Sequence, residues 1–261
     1  MEQKSEFLEV GLRAAKEAEK VLLKYFNEGG LEERLKKDGS PVTKADTEAQ
    51  KVIIDIIRTV FPDHEFLGEE NSDVESITSK SYLWIIDPID GTKSYVRKNP
   101  LFATQIALMH DGQIILGISN CPALGELMYA EKDLGTFLNH KPVIISKVNT
   151  IEEGAISFGN IKYFDKHGQM SNLVNLCKST KWARGIGDFW SYHLLAQGKI
   201  DAMIEAETKI WDIAALTIIV EEAGGKMTDL TGKPIDLESS SAIATNGLIH
   251  REIESYFKQN Q

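Results

Sequence analysis

Apolar residues recur at helical spacing through Phe7, Val10, Ala14, Ala18, Val21, Leu22 and Tyr25, and Gly29-Gly30 stops the run. This pattern predicts one long packing helix. After a loop broken by Gly39 and Pro41, Thr43-x-x-Asp46 opens a second helix through Ile57, which ends before Pro62. The period then shortens. Phe66 to Glu70 reads as a short strand ending in two acids and the apolar run Tyr82 to Ile86 as a buried one. Phe102 to Met109 and Gln113 to Ser119 flank Asp111-Gly112, a two-residue hairpin signal. Leu127 to Ala130 and Gly135 to Leu138 continue the series. The first part of the chain, residues 1–145, is therefore expected to be two helices against a mostly antiparallel sheet.

Beyond residue 145 strands and helices alternate. Strands are expected at Ile156–Phe158, Ala183–Arg184, Ile200–Glu205, Gly225–Thr228 and Ala242–Thr245. Helices are expected at Ser171–Lys178, from Asp188 to Ala196 with Gly198 as its stop, at Asp212–Ala223 and at Leu248–Phe257. Residues 146–261 thus read as an α/β half with a second sheet.

Charge narrows the partners. The 261 residues carry a net charge of −10, which argues against general nucleic-acid binding and against an anionic membrane surface. No apolar run approaches a membrane span, and Met1 to Val10 lacks the apolar core of a secretory signal. Cys121 and Cys177 have no metal spacing and read as free thiols in a reducing compartment, the cytoplasm. An acidic chain that handles a phosphate needs cations to bridge the two.

The chemistry concentrates in Trp84-Ile85-Ile86-Asp87-Pro88-Ile89-Asp90-Gly91-Thr92. A buried strand ends on two aspartates three apart, with Pro88 fixing the backbone between them. Asp87, the Ile89 carbonyl and Asp90 can turn oxygens into one small volume, the donor set that Mg²⁺ takes. Gly91 and Thr92 follow at a turn where a helix start would offer N–H groups to phosphate. The bland alternative is a strand ending in an ordinary Asp-Pro turn. Other acids carry the same ambiguity. Asp46 is either the capping-box partner of Thr43 or a carboxylate aimed at a metal. In Gly68-Glu69-Glu70, placed at a strand end, one Glu should face inward, where it needs a cation. Asp212 is either an N-cap or a metal ligand at a helix start. Lys36 is either an exposed lysine or a neighbour of the phosphate.

Taken together, Gly68-Glu69-Glu70, Asp87-Pro88-Ile89-Asp90-Gly91-Thr92 and Trp211-Asp212-x-Ala214-Ala215 with Gly224-Gly225 resemble the inositol-monophosphatase superfamily, over Lys36 to about Asn246. The resemblance implies an α-β-α-β-α layered sandwich, usually a homodimer, and a lithium-sensitive phosphatase using two to three Mg²⁺. It implies that Glu69, Asp87, the Ile89 carbonyl, Asp90 and Asp212 hold the metals. Asp46 would hold Thr92 and a further metal, Gly91 and Thr92 the phosphate, and Glu205 a substrate hydroxyl. Asp46, Glu69, Asp87, Asp90 and Asp212 bring five negative charges, and a phosphate monoester adds about two more. Such a cluster stays ionised only with divalent cations present.

Within the superfamily, Thr92-Lys93-Ser94-Tyr95, Gly187-Asp188-Phe189-Trp190-Ser191-Tyr192 and Ala242-Ile243-Ala244-Thr245-Asn246-Gly247 look most like the histidinol-phosphate phosphatase branch of histidine biosynthesis. The alternatives are an inositol or broad sugar phosphatase and, in another class, a regulatory binding protein of the same fold. Under the first reading Asp188 takes the ammonium of an amino-alcohol phosphate and Trp190 or Tyr192 stacks on its imidazole. Under the bland one Asp188 merely caps its helix.

Overall fold

The computed structural model describes residues 4–28, 34–35, 41–70 and 81–258. The chain opens with α1 (Glu6–Glu28), a short hairpin of β1 (Arg34–Leu35) and β2 (Pro41–Val42), and α2 (Lys44–Val60). Then come β3 (Glu65–Gly68), β4 (Leu83–Asp90), α3 (Thr92–Val96), β5 (Ala103–His110), β6 (Gln113–Cys121), β7 (Glu126–Glu131), β8 (Gly135–Leu138) and β9 (Lys141–Val143). The remainder is β10 (Ala155–Phe158), α4 (Ile161–Lys166), α5 (Met170–Ser179), β11 (Trp182–Arg184), α6 (Asp188–Ala196), β12 (Ala202–Glu205), α7 (Ile210–Glu222), β13 (Lys226–Thr228), β14 (Ala242–Thr245) and α8 (His250–Lys258).

Seven strands pair in the order β3-β4-β5-β6-β7-β8-β9, antiparallel except for β3 with β4. Five more pair as β11-β10-β12-β14-β13, a mixed sheet. Side-chain alternation sorts each sheet into two faces. Trp84 and Ile86 of β4, with Ile106 and Leu108 of β5, pack against Leu8, Ala14 and Ala18 of α1 and Ile53 and Ile57 of α2. Ile85 and Ala107 point the other way, into a cluster with Phe189 and Leu195 of α6, the whole inner part of α7, and Met203, Met227 and Ala244 of the smaller sheet. The far face of that sheet, with Ile156, Ile204 and Ile243, is covered by Phe164 of α4, Leu173 and Leu176 of α5, and Ile253 and Phe257 of α8. The layers are therefore α-β-α-β-α, as the resemblance implies. α4, which sequence periodicity does not reveal, spans only six residues, too few for a repeat to show. No helix among the described residues is long and apolar enough to cross a membrane.

α7 explains why the two sheets form one body. Ile213 to Val220 are all buried, so the helix is apolar on every side, as a helix between two sheets must be. It lies close to β6: a Cβ built on Gly117 would stand 2.3 Å from the Ala215 carbonyl oxygen. Gly117→Ala must push helix and sheet apart, an overpacking that costs about 1–3 kcal/mol. The expected result in a thermal melt is a fall of roughly 2–12 °C for a chain of this size. An unchanged Tm would show that the helix is not held against the sheet in this way.

Candidate active site

The site is built outward from the end of β4. Its register with β5 slips between Asp87 and Asp90. Pro88, in the slip, has no N–H to leave unpaired. The surrounding groups satisfy one another locally. The Ile89 N–H donates to Asp87 Oδ1 at 2.8 Å, and the Thr104 hydroxyl donates to the Pro88 carbonyl at 2.9 Å. Gly91 then turns the chain at φ 87°, where a Cβ would meet the Leu101 carbonyl oxygen at 2.7 Å. Thr92 follows as the first residue of α3, whose leading N–H groups have no intrahelical acceptor.

Glu69 and Glu70 do not alternate across a strand as expected. β3 ends at Gly68, so the period-two rule stops before them and both lie half-buried in the following turn. The Glu69 N–H donates to the Ile86 carbonyl at 3.0 Å, which ties this turn to β4 just before Asp87. The Glu69 and Asp87 carboxyl groups are hydrogen-bonded to each other. Two carboxyls in contact need a shared proton or a cation between them.

Asp46 and Asp212 occupy equivalent places, each the third residue of its helix. Each reaches back with Oδ2. Asp46 accepts from the Thr43 N–H at 2.7 Å and the Thr43 hydroxyl at 2.6 Å. Asp212 accepts from the Lys209 N–H at 2.9 Å and the Thr208 hydroxyl at 3.1 Å. Thus Asp46 does not hold Thr92: the Thr92 hydroxyl donates to the Ile89 carbonyl at 2.9 Å. The local capping box wins because its donor is three residues away on a rigid turn. Asp46 Oδ1 is buried and accepts no hydrogen bond from the described residues.

Asp90, Asp188, Glu205 and Asp212 line one cavity of about 300 Å³. Glu207 adds a fifth carboxylate to its wall, and Lys93 is its cation. Asp188 is the first residue of α6, not its cap: Gly187 stands at that position, and Asp188 has φ 49°. Positive φ in a non-glycine residue is a strained state that surrounding structure must enforce. Tyr192 lines the cavity with its hydroxyl donating to Glu205 Oε2 at 2.7 Å. Trp190 is not on the cavity wall; it packs, half-buried, against the core cluster that holds Phe189. Tyr163, Asn160 and Thr208 also line the cavity and escape a reading by motif. For Tyr163 the usable signal is Asn160, whose side chain caps α4 by accepting from the Lys162 N–H at 3.0 Å. Lys36 lies outside the described residues.

Burial and crowding raise the carboxyls together. Asp87 is pushed well above the usual range, first by burial and then by the charges of Glu69, Asp90 and Asp212. Asp90 is raised likewise by burial, Asp188, Asp212 and Glu205. Burial lifts Asp46 to about 6 against its Thr43 bonds, and Asp212 to about 6 against its bonds to Lys209 and Thr208. Glu205 goes to about 8, again through burial, with the Tyr192 bond opposing. Asp188 is raised by burial and held back by Lys93.

No three His, Cys, Asp or Glu groups among the described residues stand as a closed metal cage. Mg²⁺ keeps several waters and binds through one or two carboxylates with substrate phosphate. The paired Glu69 and Asp87 carboxyls and the lone Asp46 Oδ1 fit such an ion.

Comparison with known proteins agrees. The model of the inositol monophosphatase family matches residues 3–261. A histidinol-phosphatase of Streptomyces coelicolor is 34% identical over 251 residues, 93% of each chain. A fructose-1,6-bisphosphatase/inositol-1-monophosphatase of Thermotoga maritima is 38% identical over 213 residues, 81% of this chain and 80% of that one. The crystal structure of the extragenic suppressor protein suhB from Bartonella henselae superposes with a TM-score of 0.90 at 29% identity, over 98% of this chain and 100% of the other. The chain belongs to the inositol monophosphatase family, and with it to the Mg²⁺-dependent phosphomonoesterases.

Proposed function

We propose that the substrate is histidinol phosphate, hydrolysed by water to histidinol and phosphate. The observation that carries this reading is Asp188, a carboxylate in a strained backbone state on the wall of a cavity with four other acids. A neutral polyol gains little from such a neighbour, whereas a substrate ammonium gains a charge-assisted hydrogen bond. The 34% identity to a histidinol-phosphatase supports it. An inositol or sugar phosphate is the second reading, favoured by the 38% identity to the Thermotoga maritima enzyme. The assembled acids speak against a purely regulatory binding protein.

In this reading Glu69, Asp87, the Ile89 carbonyl, Asp90 and Asp212 would hold two Mg²⁺, and Asp46 would adjoin a third. Mg²⁺ bound there would supply Lewis acidity, making water more acidic and offsetting charge on the phosphate. Glu69 takes the proton of the attacking water as its oxygen bonds to phosphorus, the ester P–O bond breaks opposite, and the departing alkoxide takes a proton from solvent water. The Gly91 and Thr92 N–H groups orient the phosphate oxygens, and the Thr92 hydroxyl, fixed on the Ile89 carbonyl, aligns the water. Asp188 binds the ammonium. Glu205, held by Tyr192, faces the remaining polar end of the alcohol.

Chelator should abolish hydrolysis of a phosphate monoester and Mg²⁺ should restore it. Glu69→Gln and Asp90→Asn should each lower kcat by ~10²–10³ while the fold survives. Activity of stripped protein in chelator, or near wild-type kcat in either variant at saturating Mg²⁺, would refute the assignment.

The raised carboxyls also predict a pH dependence. Their folded pKa values exceed the unfolded ones near ~4, so the folded chain binds extra protons and metal-free stability falls as pH rises. The loss should develop through about 6, where Asp46 and Asp212 titrate, and about 8 for Glu205. Mg²⁺ should therefore raise Tm more at pH 8 than at pH 5 in calorimetry. An equal shift at both would contradict the crowding of charge.

Asp188→Ala should lower the ratio of kcat/KM for histidinol phosphate to that for inositol 1-phosphate by roughly 10–150-fold, the worth of one charged hydrogen bond. A variant that changes stability but keeps the ratio would remove the histidinol reading and leave a broad Mg²⁺-dependent monoesterase.

A further inference from the structure

Three aromatic rings border the cavity, and two are committed to the protein. Phe189 is 1% exposed and meets the His193 ring edge-on, with centroids 5.3 Å apart. Tyr192 is fully buried and its hydroxyl is spent on Glu205. Tyr163 differs. It is half-buried, and its hydroxyl makes no hydrogen bond to the described residues.

The ring of Tyr163 is nevertheless held in place. α4 is capped at its start by Asn160 and anchored by Phe164, which is fully buried in the outer cluster. At its end Lys166 Nζ reaches Glu207 Oε2 at 2.5 Å, and His167 Nε2 reaches the same oxygen at 2.6 Å. Glu207 belongs to the loop after β12 and lines the same cavity. The ion pairs thus join the two sides of the rim. The Lys166 ammonium stands 5.8 Å from the Tyr163 ring centroid, at the limit of a cation–π contact. A pre-placed aromatic surface on a wall otherwise dominated by carboxylates suits a flat ring that can carry positive charge.

We propose that Tyr163 is a specificity-determining residue that receives a planar, protonatable ring of the substrate against its own ring. This rests on the histidinol phosphate reading, under which that ring is the imidazole. Stacking acts on a part of the substrate remote from phosphorus, so it adds binding that the ground state and transition state share. It therefore appears chiefly in KM.

The test compares two amino-alcohol phosphates, histidinol phosphate and alaninol phosphate, which share the ammonium and the ester and differ in the ring. Wild type should prefer histidinol phosphate. Tyr163→Phe should keep the preference within about twofold, since the ring and not the hydroxyl acts. Tyr163→Ala should reduce the preference by about 3- to 30-fold, mostly through KM. Tyr163→Leu preserves apolar bulk without a π-face and should lose the preference too, which covers the case of an unstable alanine variant. If wild type handles the two esters equally, the histidinol reading and this inference both fall. If wild type prefers histidinol phosphate and the leucine variant keeps that preference, the reading stands and the role of Tyr163 is overturned.

Discussion

A helix buried on every side can bring charge to water only at its ends, and that constraint on α7 shapes the whole molecule. Between Ile213 and Val220 nothing charged is possible, because both sheets press on it. Its acids are Asp212 in the first turn and Glu221 and Glu222 in the last. The Gly117 contact fixes how closely the helix lies on β6. Its first turn therefore comes to the end of β4, and the charge of Asp212 is felt by Asp87 and Asp90.

Once there, the acids would repel one another. The fold spends hydrogen bonds to hold them. Asp46 and Asp212 are pinned through one oxygen by their own helix starts, and Asp87 is pinned by the Ile89 N–H. These bonds lower the cost of charge but do not cancel burial, so the carboxyls remain raised. Such a cluster is a store of unfavourable charge that divalent cations relieve. Affinity for Mg²⁺ and the instability of the bare cluster are two expressions of one interaction.

The two sheets divide the work. The larger one and its connections supply Glu69, Asp87, Asp90 and the turn at Gly91, all within short reach of β4. The smaller sheet and its helices supply Asp188, Tyr192, Glu205, Glu207 and Tyr163, which line the adjoining cavity. Asp90 and Lys93 reach the same wall from the larger sheet, and Asp212 joins them from α7, which belongs to both. Such a division lets the alcohol-binding wall vary while the phosphate end stays built on a rigid strand.

Much of this was legible in the chain itself, wherever the cause is local. Alternation and helical spacing gave the long helices and most strands, since a side chain's face depends on its neighbours within a few residues. Asp87-Pro88-Ile89-Asp90-Gly91-Thr92 declared its turn because proline and glycine set φ directly, and Thr43-x-x-Asp46 offered a capping box because its donor and acceptor lie three residues apart. Tertiary structure decided the rest. That Asp188 would begin α6 at positive φ, that Trp190 would face the core and Tyr192 the cavity, and that Tyr163 would reach the same wall depend on how α4 and α6 pack. Those relations join residues far apart in sequence, and no local pattern encodes a distance between them. The order of residues determined which groups could carry charge, turn the chain or bury themselves; only the packing of α7 between two sheets decided which of them would meet.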